Sequence, residues 1–317
     1  MKKVDPPVFS VIIPTHNRAD LLRIATQSVI DQLHKNWELI IVDDGSNDDT
    51  KAVVNTFRQS DDRIKYIFQP HQERSTARNR GIKEAAGKYI CFLDDDDYYL
   101  DHHLSSFFDW LEAHKFPEII LRTGFYTKED GKLTATEHYK EERDINPVRF
   151  AAFKFCSACT LCVPKQFLTK DLFPIDFPHW QDTHLILRLL AKRPFRQLPK
   201  FTYVYRTHSS MGTKSLYDRQ DSLDRIESNV QAIRDLFENH SKLISPYLPA
   251  NSKHFLITEK YLGHANGALK NRKLNLSYKL LKRSLTSNKG NRFALKYIKL
   301  TTQLLFHRLK GILVAKK

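Results

Sequence analysis

A chain of 317 residues with 41% hydrophobic and 27% charged side chains has the composition of a globular protein of about two domains. No stretch reaches the roughly 18 apolar residues of a membrane span, and four cysteines are too few for a disulfide framework, which argues against an integral membrane protein and against a stapled secreted scaffold. The net charge of +15 belongs to the tail: from Ser241 onward 17 Lys/Arg face a single acid, Glu259, leaving residues 1–240 at −1.

The start, Met1 to Pro7, carries two lysines but no apolar h-region, so no secretory signal is expected and a cytoplasmic location follows. Phe9 to Ile13 is a β-rich run ending at Pro14, followed by the polar Thr15-His16-Asn17-Arg18. Leu21, Leu22, Ala25, Val29 and Leu33 then recur at helical spacing. A second strand, Trp37 to Val42, ends in Asp43-Asp44-Gly45-Ser46. A helix capped by Asp48 or Asp49 follows, with Val53, Val54 and Phe57 on its buried face. Ile64 to Phe68 reads as a third strand, and Ser75 to Ala86 as a helix closed by Gly87 at C′. The strand Tyr89 to Leu93 then runs into Asp94-Asp95-Asp96-Asp97. Alternating strands and helices with short links predict a mostly parallel sheet with helices on both faces. Ligands of such sheets sit at the carboxyl ends of the strands, where Thr15 to Arg18, Asp43-Asp44 and Asp94 to Asp97 all fall. Pro14-Thr15-His16-Asn17 holds no glycine, which removes the fingerprint of a dinucleotide site.

Four adjacent carboxylates cannot all stay ionised without a neutralising charge, and a divalent metal is the natural one. A solvated acidic loop or helix start is the alternative. Cys156, Cys159 and Cys162 form C-x-x-C-x-x-C without a fourth nearby cysteine. Their apolar flanks favour packed thiols over a metal site.

Ser10-Val-Ile-Ile-Pro-Thr-His-Asn-Arg18, Glu38-Leu-Ile-Ile-Val-Asp-Asp-Gly-Ser46, Ala77-Arg-Asn-Arg-Gly81 and Gly87-Lys-Tyr-Ile-Cys-Phe-Leu-Asp-Asp-Asp-Asp97 stand in this order. Together they resemble the family 2 glycosyltransferases of bacterial polysaccharide and lipopolysaccharide synthesis, whose Rossmann-like fold is called GT-A. The resemblance extends with less force to about Gly212. It implies a catalytic domain over residues 1–215, with a nucleotide-sugar half at 1–100 and an acceptor half at 101–215, and a basic helical region at 216–317. It also implies inverting transfer of a sugar from a nucleotide diphosphate, a UDP-sugar first, to a hydroxyl of a growing glycan. By the same resemblance Asp96 is the ligand of Mn2+ or Mg2+, with Asp94 and Asp95 near the donor ribose and sugar and Asp97 a cap for the next helix. Pro14, Thr15, Asn17, Asp44, Arg78 and Asn79 would line the donor site, Asp44 accepting from a base N–H. An Asx-turn before Gly45 is the alternative for Asp43 and Asp44.

Transfer also needs a base for the acceptor hydroxyl. In Pro178-His-Trp-Gln-Asp-Thr-His184 the family usually has Glu-Asp where this chain has Gln181-Asp182. Asp182 is the base in that pattern, with an N-cap as the alternative; Trp180 and Gln181 are placed at the acceptor, with core packing as the alternative for Trp180. Arg206-Thr-His208 resembles the element that closes the catalytic domain and puts His208 near the diphosphate or metal. The substitution Gln181 also motivates a rival reading, a non-catalytic sugar-nucleotide or glycan-binding protein.

In the tail Leu223, Ile226, Val230, Ile233 and Phe237 form one helical stripe. Pro246 and Pro249 break it, Phe255 to Leu269 and Leu274 to Leu285 read as a helix pair, and Phe293 to Val314 as a basic amphipathic helix. Such a helix suits an anionic membrane surface and a lipid-linked acceptor, with a peripheral place at the inner face of the cytoplasmic membrane; ordinary packing on the catalytic domain is the alternative. No nucleic-acid motif is present, so nucleic acid is not an expected partner.

Overall fold

The computed structural model describes residues 6–136, 146–153, 156–177, 179–207, 221–287 and 300–303. Two compact units divide the chain, Met1–His208 and Ser209–Lys317.

The first unit begins with strand β1 (Phe9–Thr15), helix α1 (Ala19–Ile30), β2 (Trp37–Asp44), α2 (Thr50–Arg58), β3 (Ile64–Gln69), α3 (Glu73–Glu84) and β4 (Tyr89–Phe92). Every residue of β1, β2 and β4 is buried, as strands covered by helices on both faces require. β1 pairs in parallel with β2 and β4, and β2 with β3. The chain then supplies β5 (Tyr98–Tyr99), α4 (His103–Ala113), β6 (Ile120–Glu129), β7 (Lys132–Ala135), α5 (Pro147–Phe153), β8 (Leu161–Pro164), α6 (Gln181–Lys192) and β9 (Phe195–Arg206).

The sheet runs β3-β2-β1-β4-β8-β6-β9-β5, with β7 on β6. The expected α/β fold is present, but the sheet is mixed rather than mostly parallel. β8 lies antiparallel to β4 and β6, and β5 antiparallel to β9, while β6 and β9 are parallel. An antiparallel neighbour needs no helical crossover, so in this half the alternation of strands and helices does not by itself give the strand directions.

Three local expectations are corrected. β1 continues through Pro14 to Thr15, with Pro14 opposite Val42. α1 ends at Ile30 and Leu33 is 61% exposed, outside the helical stripe. Gly87 is not a left-handed helix cap: Ala85 holds the C-cap in an extended conformation. A Cβ on Gly87 would lie 2.6 Å from Ser10 N, so glycine permits the close approach of the α3–β4 link to β1. On α3 itself a Cβ at Gly81 would meet Ile12 Cγ2 at 2.4 Å, which is how this helix comes to lie hard against the central strand.

The second unit contains α7 (Ser222–Asn239), α8 (Ser241–Ile244), α9 (Ser252–Lys270) and α10 (Leu274–Ser287). Ile226, Val230 and Ile233 are buried as their spacing predicts, and Leu236 is fully buried where Phe237 was expected to be. Glu227 of α7 accepts from Tyr261 of α9 and Arg283 of α10, tying the three helices. The expected helix from Phe293 to Val314 lies largely outside the described residues. Among the described residues no helix is long and apolar enough to cross a membrane.

One buried carboxylate holds the parallel half together. Glu38 on β2 accepts from Ser10 Oγ (2.5 Å), Ala86 N (2.5 Å) and Gly87 N (3.1 Å) and pairs with Lys65 Nζ of β3 (2.6 Å). Burial alone would raise its pKa; the bonds from Lys65, Ser10 and Ala86 outweigh burial and lower it. A depressed folded pKa contributes stability that is complete above the unfolded value and is lost as pH falls through the folded one. Glu38→Gln is therefore expected to cost about 1–3 kcal/mol at neutral pH and to unfold with a shallower acid limb than the parent. Urea denaturation at neutral pH and at about pH 4 measures both effects.

Candidate active site

β4 delivers the four aspartates. Leu93 N donates to Ile12 O at 3.0 Å, extending the register by one residue, and the chain then turns, with Asp97 N donating to Asp94 O at 3.1 Å. The turn gives the four carboxylates different surroundings. Asp94 accepts from Arg78 Nη2 at 2.5 Å. Asp95 accepts from Thr15 Oγ1 (2.8 Å) and Arg18 Nη1 (3.0 Å), and Asp96 from the same Arg18 nitrogen (2.8 Å). Asp97 is 1% exposed and accepts from the Tyr203 hydroxyl and from Arg206 N at 2.8 Å. Asp97 does not cap a helix, since α4 begins only at His103; β9 claims its carboxylate instead.

Charge at the cluster is uneven. Burial pushes Asp95 up to about 6, against the pull of Arg18. Burial and the neighbouring Asp96 and Asp94 push Asp97 well above the usual carboxylate range. For Asp94 burial also opposes ionisation, but Arg78 and Arg74 outweigh it and lower the pKa. Carboxylate oxygens of Asp94, Asp96 and Asp97 lie within 4.8 Å of one another. A clustered, all-oxygen carboxylate set suits a hard divalent cation, so the residues present fit Mg2+ or Mn2+.

The strand-end loops of β1 and β2 are laced together. Asn17 adopts φ 53°, which lets its N–H donate to Ser46 Oγ (2.9 Å) and its Oδ1 accept from Asn47 N (2.8 Å). Asp48 accepts from Ala19 N at 3.0 Å and from Thr50 N at 3.0 Å, serving the starts of α1 and α2 together. Asp43 accepts from Ser46 N at 2.8 Å, the turn expected before Gly45. Asp44 is 3% exposed, and its carboxylate accepts from Gln69 Nε2 (2.7 Å) and Gln72 N (2.9 Å) and pairs with His71 Nδ1 (2.8 Å). The rings of His16 and His71 stack at 4.3 Å beside it.

Arg78 joins these loops to α6. Its side chain is fully buried; Nη2 bonds Asp94 and Nη1 bonds Asp182 Oδ1 at 2.5 Å, with Phe173 5.0 Å below the guanidinium. Burial would lower its pKa, but Asp182 and Asp94 raise it, so it stays charged. Asn79 is turned away from this centre and brackets Phe173 through its backbone O (2.9 Å) and N (3.0 Å). The N-cap alternative for Asp182 fails: Trp180 holds that position with φ 65°, and Asp182 is the second residue of α6. Gln181 is 5% exposed and Trp180 partly exposed. His208 lies outside the described residues.

Thr15, Arg18, Arg78, Asp182 and Asp94 to Asp97 thus form one connected set, with Pro14, Asn17 and Asp44 in the adjoining loops. Sequence reasoning assigned no role to Arg18, Arg74, His71 or Tyr203. Four acids at one strand end demand cations, and Arg18 at the end of the neighbouring strand-end motif was a readable partner. Tyr203, 106 residues from Asp97 in sequence, carried no such signal. All four cysteines are buried free thiols, and none belongs to a candidate metal-ligand group among the described residues.

The family model described as Glycosyl transferase family 2 matches residues 10–171. Over 196 residues the chain is 32% identical to the GalNAc(5)-diNAcBac-PP-undecaprenol beta-1,3-glucosyltransferase of Campylobacter jejuni, covering 60% of this chain and 62% of that one. It is 32% identical over 189 residues to the UDP-Glc:alpha-D-GlcNAc-diphosphoundecaprenol beta-1,3-glucosyltransferase WfaP of Escherichia coli, covering 58% and 71%. Across curated relatives the aligned part spans from 21% to 74% of their length. Among solved structures, the mannosyltransferase PcManGT of Pyrobaculum calidifontis in complex with GDP-Man and Mn2+ shares the fold, with a TM-score of 0.56 at 16% identity over 98% of this chain and 89% of that one.

The raised pKa of Asp95 has a measurable sign. A carboxyl whose folded pKa exceeds its unfolded value contributes stability that is complete below the unfolded value, 3.8, and is lost as pH rises through about 6. In protein stripped of divalent metal, Asp95→Asn is expected to remove this downward slope between about pH 4 and 6. Paired denaturation curves of parent and variant across that range read the difference.

Proposed function

Because the chain belongs to glycosyl transferase family 2, we propose that it is a metal-dependent, inverting glycosyltransferase that moves a sugar from a UDP-sugar to a hydroxyl of a lipid-linked, growing cell-surface glycan, with Asp182 as general base. The observation that carries this reading is the Asp94–Arg78–Asp182 bridge. One buried guanidinium holds a carboxylate of the acidic tract and the carboxylate on α6 within reach of a common substrate.

The roles follow from the surroundings of each group. Arg78 occupies Oδ1 of Asp182 and leaves the 23% exposed carboxylate its second oxygen, Oδ2, to receive the acceptor proton. The acceptor oxygen then forms its bond to the anomeric carbon, the bond from that carbon to the diphosphate oxygen breaks, and its electron pair leaves with the diphosphate. Held by Asp96, with Asp94 and Asp97 close by, a Mn2+ or Mg2+ ion would supply positive charge against that leaving group. Arg18, now paired with Asp95 and Asp96, adds a cation on the same side. Asp94 and Asp95 take the donor ribose and sugar, while Thr15, Pro14 and Asn17 form the wall of the base pocket and Asp44 accepts from the base N–H. Arg78 and Asn79 act as positioning residues, the first through Asp182 and the second through Phe173. Trp180 and Gln181 stand beside the base on the acceptor side. Inversion rests on the family, the lipid-linked acceptor on the substrates named for the C. jejuni and E. coli relatives, and uridine on the donor named for the latter.

Thermal-shift measurement across sugar nucleotides with and without Mn2+ tests the donor assignment, since a ligand bound only by the folded state raises apparent stability. A UDP-sugar is expected to give the largest shift, larger with Mn2+; no shift with any donor would sink the reading. Asp182→Asn is expected to lower transfer about 10²- to 10⁴-fold while the donor-induced shift persists, and full transfer by this variant would exclude Asp182 as the base.

A further inference from the structure

Along the outer side of α3 runs a groove of about 760 Å3, within the range of small-ligand pockets. It is separate from the acidic tract, none of whose residues lines it. Phe68 and Pro70 at the end of β3, Ile82 on α3, and Leu168 and Leu172 of the segment after β8 give it an apolar lining. Arg80, Lys83 and Lys165 add three cations, and no carboxylate lines it. Lys165 Nζ rests on Ala85 O at 2.5 Å, and Arg80 is partly offset by Glu84 at 3.2 Å. Lys83 is exposed and has no ion-pair partner among the described residues.

Large apolar side chains stand open at this face. Of the lining residues, Phe68 is 57% exposed and Leu172 37%. A cluster of this kind on a water-facing surface marks an interaction site. An apolar recess under an acid-free basic rim complements one chemistry above others, a hydrocarbon chain with a negatively charged head. The anionic leaflet of a bilayer presents that chemistry at high density and attracts basic side chains.

We propose that this groove takes an acyl chain of an anionic phospholipid, with Lys83, Arg80 and Lys165 against the phosphates, and so seats the Met1–His208 unit on a bilayer surface. The proposal does not rest on the donor assignment, although Gln69 and Gln72, which hold Asp44, also line the groove, and it places the membrane contact on the catalytic unit itself rather than on the basic tail. Its geometry leaves the acidic tract free, because none of Asp94 to Asp97, nor Arg78 or Asp182, lines the groove.

Co-sedimentation of the full chain with vesicles tests it, using phosphatidylglycerol mixed with phosphatidylcholine against phosphatidylcholine alone. The parent is expected to bind the anionic vesicles preferentially. Lys83→Glu is expected to weaken that binding at least about fivefold, the weight of one basic side chain at an anionic surface, and Phe68→Gln to weaken it further, with melting temperature and donor-induced shift unchanged. A second variant, Phe68→Trp, reads the groove directly: its added fluorescence is expected to be quenched by acyl chains brominated near the headgroup. Equal binding by parent and Lys83→Glu, equal binding to both vesicle types, or an unquenched tryptophan at position 68 would each overturn the proposal. Saturable binding of monomeric farnesyl diphosphate, with none of anionic vesicles, would also overturn it and assign the groove to a free prenyl diphosphate. Because the donor shift is measured on the same samples, failure at the vesicle and failure of the glycosyltransferase reading are seen separately.

Discussion

A single buried guanidinium sets the terms for the rest of the catalytic unit. Arg78 has no surface exposure, and its two terminal nitrogens are taken by Asp94 and Asp182, residues 16 and 104 positions away. A charge in that position is tolerable only when paired and hydrogen-bonded, so three separate pieces of chain must arrive together: α3, the end of β4 and the start of α6. Gly81 brings α3 against Ile12 of β1, and Asn79 fixes Phe173 beneath the guanidinium. The site is therefore assembled by the requirement to satisfy one cation rather than by a continuous motif.

The acidic tract makes the complementary demand. Arg18 and Arg78 each give hydrogen bonds to it, and the charge of Arg74 acts on Asp94, Asp96 and Asp95. Even so, burial and mutual repulsion hold Asp95 and Asp97 above the ordinary carboxylate range. The mutual repulsion is what a divalent cation would relieve, while the turn after β4 and the separate partners of each carboxylate put four identical side chains in a row into four different environments.

The parallel half of the fold was legible because burial on both faces gives β1, β2 and β4 apolar-rich runs, interrupted before their polar ends only by Ser10 and Glu38, and because each run ends in a polar motif. The second half was not. β5 is two residues long and finds its partner in β9, about a hundred positions later, with Tyr98 opposite Val204. Pairing at that separation is decided by tertiary packing and leaves no periodicity in β5. At the site, the acidic tract and Asp182 could be read individually, whereas the arginine between them could only be placed among the residues lining the donor site. The left-handed Trp180 that starts α6, and so presents Asp182 in its first turn, is a backbone feature that a tryptophan does not advertise.

Asp44 shows how such a site keeps itself intact before any ligand arrives. A carboxylate 3% exposed cannot remain unpaired without a large penalty, and here Gln69, Gln72 and His71 satisfy it. Under the proposed reading a base N–H would have to share or displace one of these contacts. His71 is the one able to leave at least cost: its side chain is 51% exposed and can return to water, while Gln72 donates from the backbone at the start of α3. The free protein thus satisfies Asp44 with groups of its own, and under the proposed reading the ring that must move is the one stacked on His16.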